Sequence, residues 1–437
     1  MASVTFLRSI EVEQTMPHLA ECQRWLSGRG IDDHLLYSDG EVSLGAYGGT
    51  TTRVPGKGML AEFTEIFQTV APSGGVGVTI SIPDENVVRD AVLAKRQRSL
   101  GRFVIAPAVD TALCFSSKWE TKHLLSRYEI PTPRGFYVDG DLLAGRASVR
   151  MDYDEALSEV ANDLSFPIII KPIWDCLGNG MLRIDSPEDF RDWLRSGGMG
   201  VNCIVEEVVN GILCSVECIS DGERVIFQPI VWKGPTLAVE SFAFEQVRWA
   251  HSSATLGEID PVLGSKIRDM VLGSGLVGAY EFEFIQDMSS FTCIEVNPRV
   301  SGSTAMSIAA SSINTFVELC KMALGEWAPH ELPRNAAMTA LQFPLLPGGS
   351  PREALESSMA NVLRVSDFEV EGTMYPSALV SVPDSELSQF ENWFRSFGVD
   401  IVSTSTSKEL LQILQDRIAY ARTSPFLDST LGSVASD

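Results

Sequence analysis

Cys293-Ile294-Glu295-Val296-Asn297-Pro298-Arg299-Val300-Ser301-Gly302-Ser303 is the stretch on which the reading of this chain turns. In an extended strand alternate residues share a face. Glu295 and Asn297 then stand together, with Arg299 just past the proline that ends the pairing, while Ile294 and Val296 turn to the core. The segment Gly278-Ala279-Tyr280-Glu281-Phe282-Glu283-Phe284 alternates in the same way, with Tyr280, Phe282 and Phe284 on one side and Glu281 and Glu283 on the other. Between the two lies Gln286-Asp287-Met288-Ser289-Ser290, a polar turn of hairpin length. Folding about that turn sets Glu283 roughly opposite Glu295. Like charges across a hairpin are destabilising unless something compensates them. Two carboxylates and an amide oxygen on one face suit Mg²⁺, which takes one or two carboxylates together with the phosphates of a nucleotide. An acidic strand pair facing solvent is the plain alternative.

Glu-Val-Asn-Pro-Arg after a Glu-bearing strand resembles the metal-binding end of the ATP-grasp superfamily. The text from Glu295 to Leu319 is especially similar to the ATP-binding halves of carbamoyl phosphate synthetases, and it also resembles the amino-acid and peptide ligases of the superfamily. The resemblance implies an α/β ATP-grasp fold with an α+β core, a Rossmann-like N-terminal domain and a small C-terminal α/β domain. It implies ATP as substrate, with Mg²⁺, or Mn²⁺ in its place, held by Glu283, Glu295 and Asn297.

The rest of the chain is consistent with this. Its 437 residues are enough for two or three domains, and 45% hydrophobic with 21% charged residues is the composition of an ordinary globular protein. A formal net charge of −23 repels nucleic acid and anionic membrane, which are discounted as partners. No apolar run reaches the ~18 residues of a membrane span, and no signal-peptide pattern opens the chain. Eight scattered cysteines without a Cys-x-x-Cys fit reduced thiols, so a cytoplasmic location is expected. Residues 1–116 alternate short strand-like and helical stretches, as a small parallel sheet requires. The ATP-grasp core is expected over 117–330, with a lid at about 135–210, and a C-terminal domain over 331–437.

Inside the core, Ser117-Lys118-Trp119-Glu120-Thr121-Lys122 opens a short helix with basic residues four apart, stopped by Ile130-Pro131-Thr132-Pro133. By its distance from that proline, the resemblance assigns Lys118 to the nucleotide phosphates, although Ser117 stands where many relatives carry Asp. Phe166-Pro167-Ile168-Ile169-Ile170-Lys171-Pro172 reads as a buried strand ending in a lysine. A buried ammonium needs an anion beside it, and the resemblance makes that anion a phosphate for Lys171. The following loop carries Gly178 and Gly180, where backbone N–H groups can approach phosphate oxygens. Cys203-Ile204-Val205-Glu206-Glu207-Val208-Val209-Asn210-Gly211 is similar to the superfamily's adenine hinge. Glu206 and Glu207 are both candidates there, with Glu207 the better fit, and Val209 would supply backbone contact. A ribose-binding Glu expected two residues after Gly211 is Leu213 here, and Glu217 is placed near the phosphates instead.

Substrate contacts are expected from Arg299, Ser301, Ser303, Glu281 and His251, one of five histidines, although a solvated loop is the plainer place for His251. Ala305 to Leu324 reads as one long apolar helix whose N-terminus, just after these serines, favours an anion. The resemblance runs from Lys118 to Gly325, and the order of its motifs carries it more than any one of them. It implies a carboxylate–amine ligase that makes an acyl-phosphate and ADP, with Lys118, Lys171 and Arg299 offsetting developing charge. The partners are then a small carboxylate and a small amine, an amino acid or short peptide by the similarity of layout; a homodimer is compatible with this. Carboxylase or carbamoyl-phosphate chemistry is the alternative reaction. A non-catalytic ATP-binding regulator is the alternative class.

Overall fold

The computed structural model describes residues 3–8, 17–37, 47–54, 60–71, 75–80, 84–148, 152–174, 180–236, 246–287, 290–329, 337–347, 351–370 and 373–423. Gly178 and the strand expected at 239–244 lie outside the described residues.

The N-terminal strands are β1 (Ser3–Arg8), β2 (Asp32–Tyr37), β3 (Thr50–Arg53), β4 (Val76–Thr79) and β5 (Val104–Ile105). They pair in parallel in the order β3-β2-β1-β4-β5, the open sheet that the alternating pattern predicts. Val4, Phe6 and Leu35 of this sheet share one apolar cluster with Ile219, Phe316 and Leu319, which fastens it to the centre of the molecule.

A second, antiparallel sheet is built from β6 (Gly135–Val138), β7 (Ile168–Pro172), β8 (Leu182–Ile184) and β9 (Cys203–Glu207), ordered β6-β9-β7-β8. Phe190, Trp193 and Leu194, on a helix that starts at Pro187 with Ser186 as its cap, cover its apolar face.

The largest sheet has nine strands: β10 (Ile212–Asp221), β11 (Val225–Phe227), β12 (Pro229–Pro235), β13 (Arg248–Thr255), β14 (Val277–Gln286), β15 (Phe291–Asn297), β16 (Met338–Pro344), β17 (Asn361–Val370) and β18 (Thr373–Pro383). Its order is β15-β14-β10-β12-β13-β16-β18-β17, with β11 attached to β10. The strands after residue 331 therefore continue the central sheet instead of forming one of their own. On the face that the alternation assigns to them, Tyr280 meets Phe282 edge-on at 5.9 Å and Phe282 stacks on Phe284 at 6.2 Å, all three packed on the helix Pro261–Ser274. Burying each such ring is worth about 2–3 kcal/mol, and this anchors the opposite, polar face.

Two local expectations are corrected. The helix read from Ala305 to Leu324 is two helices, Thr304–Ser311 and Thr315–Ala323. Ser312 takes a left-handed φ of 59°, and Asn314 caps the second helix by accepting from the amides of Phe316 and Val317. Ile294, expected in the core, is the extra residue of a β-bulge, because Glu283 faces Glu295 while Phe284 faces Cys293. The bulge sends Cys293 into the core with Val296 and leaves Ile294 half-buried at the edge of a cleft. Among the described residues no helix is long and apolar enough to cross a membrane.

Candidate active site

Three strands set the site by register. Ser215, Glu283 and Glu295 form one cross-strand row over β10, β14 and β15; Glu217, Glu281 and Asn297 form the next. The Glu283–Glu295 opposition read from the hairpin is present. The two rows differ in access. Glu283 and Glu295 keep 20% and 25% of their side chains exposed, whereas Glu281 keeps 4%.

Each acid is matched by a lysine. Lys118 Nζ lies 2.8 Å from Glu295 Oε1. Lys233 Nζ reaches Glu281 Oε1 at 3.0 Å and Glu283 Oε1 at 2.5 Å. Across the cleft, Glu206 on β9 receives Lys122 on one oxygen at 2.8 Å and Lys171 on the other at 2.9 Å. Burial disfavours the charged form of Glu206, but Lys171 and Lys122 outweigh it and hold the carboxyl below its usual range. Burial likewise opposes the charge on Lys171, and Glu206 more than offsets it. For Glu283, burial raises the pKa and Lys233 lowers it; the neighbouring Glu281 and Glu295 leave it raised overall. Lys118, Lys122, Glu206, Ile294 and Glu295 line one cavity between the helix Lys118–Arg127 and strands β9 and β15.

The donor set suits a magnesium ion. Glu283 and Glu295 are hard, partly exposed carboxylates facing each other, and their crowding is what a dication relieves. Asn297 is less open, since its Oδ1 accepts from Arg299 Nη2 at 3.1 Å and its Nδ2 lies 3.4 Å from Glu281. Among the described residues no three His, Cys, Asp or Glu side chains form a metal-holding group. A pair of carboxylates that leaves coordination positions to water and phosphates is the usual form for Mg²⁺.

Other expected contacts fall elsewhere. Glu281 is 3% exposed and lies beneath the site. Ser301 donates to Glu217 Oε1 at 2.8 Å and Ser303 bonds Ser215 at 3.1 Å, so both serines tie the turn after Arg299 to β10. Glu217 is buried below them. The side chain of Glu207 accepts from the amide of Ser165 at 2.8 Å, away from the lysine cluster, where Glu206 stands instead. Val209 follows β9, and Gly180, with φ of 69°, re-enters just before β8. His251 is no solvated loop residue: it pairs with Thr339 in the sheet, is 2% exposed, and sets Nε2 2.7 Å from Asp384.

Two lysines of the site, Lys122 and Lys233, are not singled out by the sequence motifs. Lys122 repeats Lys118 one helical turn on, and it is Lys122 that faces Glu206. Ile230-Val231-Trp232-Lys233 carries the same signal as Ile168-Ile169-Ile170-Lys171, an apolar strand ending in a cation.

Comparison with known proteins finds a domain match and likenesses of fold. Residues 115–303 match a family described as the ATP-grasp domain. The chain is similar to the crystal structure of an L-amino acid ligase from Bacillus licheniformis at 18% identity and a TM-score of 0.63, covering 94% of this chain and 97% of that one. It is similar to N5-carboxyaminoimidazole ribonucleotide synthetase from Thermus thermophilus at 17% identity and a TM-score of 0.63, over 91% and 98% of the two chains. The biotin carboxylase domain of 2-oxoglutarate carboxylase from Hydrogenobacter thermophilus, solved with MgADP and bicarbonate, matches at 14% identity and a TM-score of 0.64, over 94% of each. Residues 115–303 thus match the ATP-grasp domain, within an α/β fold that the chain shares with these three structures along nearly its whole length.

Proposed function

We propose that this protein is an ATP-dependent carboxylate–amine ligase that forms an amide through an acyl-phosphate, releasing ADP and phosphate, with an amino acid or short peptide among its substrates. The observation that carries this reading is the facing pair Glu283 and Glu295, bordered by Lys118 on one side and the Lys122–Glu206–Lys171 cluster on the other. Likeness to the L-amino acid ligase over 94% of this chain supports the choice of acceptor.

In this reading Lys122 and Lys171 exchange Glu206 for nucleotide phosphates, and Lys118 turns from Glu295 to the same anion. A magnesium ion held by Glu283 and Glu295 would neutralise phosphate charge and draw electrons from the transferring phosphorus. Asn297, in the second row, holds Arg299 at its Oδ1. Arg299 then offsets charge on the substrate carboxylate as its oxygen attacks the γ-phosphorus. The amine next displaces phosphate from the acyl carbon and loses a proton to leave the amide. This chemistry needs positioning and electrostatics and no nucleophilic side chain.

The test is mass-spectrometric detection of nucleotide and amide products after incubation with Mg-ATP and pooled amino acids. ADP with a new dipeptide-like mass supports the ligase. AMP with pyrophosphate overturns the acyl-phosphate route. ADP formed only when bicarbonate is supplied would replace it with carboxylase chemistry, in line with the likeness to the biotin carboxylase domain.

A further inference from the structure

The central sheet carries a second polar strip, on strands that the nucleotide site does not use. Arg248 on β13 is in register with Gln342 on β16, Gln342 with Leu379 on β18, and Leu379 with Arg364 on β17. Residues in register share a face, so Arg248, Gln342 and Arg364 look out from the same side as Ala250 and Ala340, which pack under the helix Thr304–Ser311. Arg299 lies just before that helix. Lys233, on the same side of β12, extends the line toward Glu281 and Glu283.

Two features of the strip point to an anion, and a third to a hydrogen-bond donor beside it. The chain has a net charge of −23, yet no Asp or Glu occurs anywhere on β16 or β18, while Lys233, Arg248 and Arg364 gather on this face. The cations are close enough to act on one another: burial and then the charge of Arg248 hold Arg364 below its ordinary range. Gln342 Oε1 is buried with no donor among the described residues, an acceptor left for an N–H or O–H group.

We propose that Arg248, Gln342 and Arg364 form a subsite for the oxyanion-bearing end of a substrate, a carboxylate or a phosphate. This rests on the ligase reading for the reaction but not for the binding. Adjacent strands are ~4.8 Å apart, so the backbone of β13 runs about 14 Å from that of β14 and β17 farther still, while the Arg248 side chain reaches back far enough for the charges of Glu283 and Glu281 to act on it. The substrate class is therefore an extended acidic one, whose reacting group lies at Arg299 while its anionic end lies on the strip. The two guanidiniums supply charge and forked donors, and Gln342 accepts from the same end of the ligand.

The test titrates the full chain with L-glutamate, O-phospho-L-serine and the neutral L-glutamine, reading binding by isothermal titration calorimetry. At least one anionic probe is expected to bind tenfold or more tighter than glutamine, and which one binds tells carboxylate from phosphate. Arg364→Gln is expected to abolish that tenfold preference and Arg364→Lys to retain most of it, both with the parental affinity for ATP. Arg248→Gln takes the place of Arg364→Gln should the latter fail to fold. Equal binding of glutamine and the anions, no response to any probe, or a folded Arg364→Gln that keeps the preference would each overturn the subsite. ADP release is measured in parallel. Anion preference without ADP from any substrate overturns the ligase reading alone, and ADP formation without anion preference overturns the subsite alone.

Discussion

Glu217 on β10 stands directly across the sheet from Glu281 on β14, and the surroundings charge one and neutralise the other. Lys233 reaches Glu281 at 3.0 Å and, against the effect of burial, holds it well below the usual carboxylate range. Among the described residues Glu217 receives only the hydroxyls of Ser301, at 2.8 Å, and Thr304, and its Oε2 has no partner. Burial first, and then the charge of Glu281, push Glu217 up to about 8. The turn that carries Arg299 is thus fastened to a neutral acid at pH 7.

A folded-state pKa raised above the unfolded value means that stability falls as pH rises between the two, here from about 4.5 to about 8. Glu217→Gln fixes the neutral form. The melting temperatures of wild type and variant should agree near pH 4.5 and separate as pH rises, with the variant more stable by on the order of 4 kcal/mol near pH 8. Parallel curves across that window would mean that Glu217 is ionised in the fold.

Glu295→Gln keeps the shape of the second strand of the hairpin but removes one of the two facing carboxylates. ADP formation at saturating Mg-ATP should fall about a hundredfold or more, since under the proposed function the residue acts on charge at the transferring phosphate. The side chain is 25% exposed, so the circular dichroism spectrum and melting temperature should change little. Near-normal turnover would remove Glu295 from the metal assignment.

A residue is legible in the sequence when its task is written in its own strand. The Glu283–Glu295 opposition is legible, because alternation and a turn of hairpin length fix a register. The Lys171 strand is legible, because an ammonium that closes a run of three isoleucines is drawn into the interior and must meet an anion there. The bulge at Ile294 is not: strict alternation is the default, and only packing of Cys293 against the phenylalanine ladder shows the extra residue. Nor is the choice of Glu206 over Glu207, since neighbouring glutamates on one strand point opposite ways and the sequence does not say which side Lys122 and Lys171 occupy. His251 reads as a loop residue because its partner, Asp384, lies 133 positions away.

Glu206 holds two ammonium groups, so its loss leaves both buried without their shared anion. Glu206→Gln should destabilise the protein by about 3–5 kcal/mol in urea unfolding at pH 7, the scale for breaking a buried ion pair. The carboxyl is held below its unfolded value, so this advantage of the wild type is present above about pH 4.5 and is lost as pH falls through the folded value. Lys122→Met, tested alongside, should weaken ATP binding about tenfold, as expected for one charge-assisted phosphate contact. Unchanged ATP affinity in that variant would leave Lys171 as the phosphate lysine and Lys122 as its support.

His251 and Asp384 join β13 to the segment that follows β18, with Nε2 2.7 Å from Oδ2 and Thr339 donating to the other carboxylate oxygen at 3.0 Å. Burial raises the pKa of Asp384, but the hydrogen bond and charge of His251 prevail and leave it lowered. The pair is remote from the lysine cluster, so its work is to hold the C-terminal strands in the central sheet. In a double-mutant cycle of His251→Ala and Asp384→Asn, read by urea unfolding at pH 7, the coupling should be about 1–3 kcal/mol. ATP affinity should stay at the parental value in all three variants. Additive losses would show that the two side chains contribute separately; a matching loss of ATP affinity would show that the join reaches the nucleotide site.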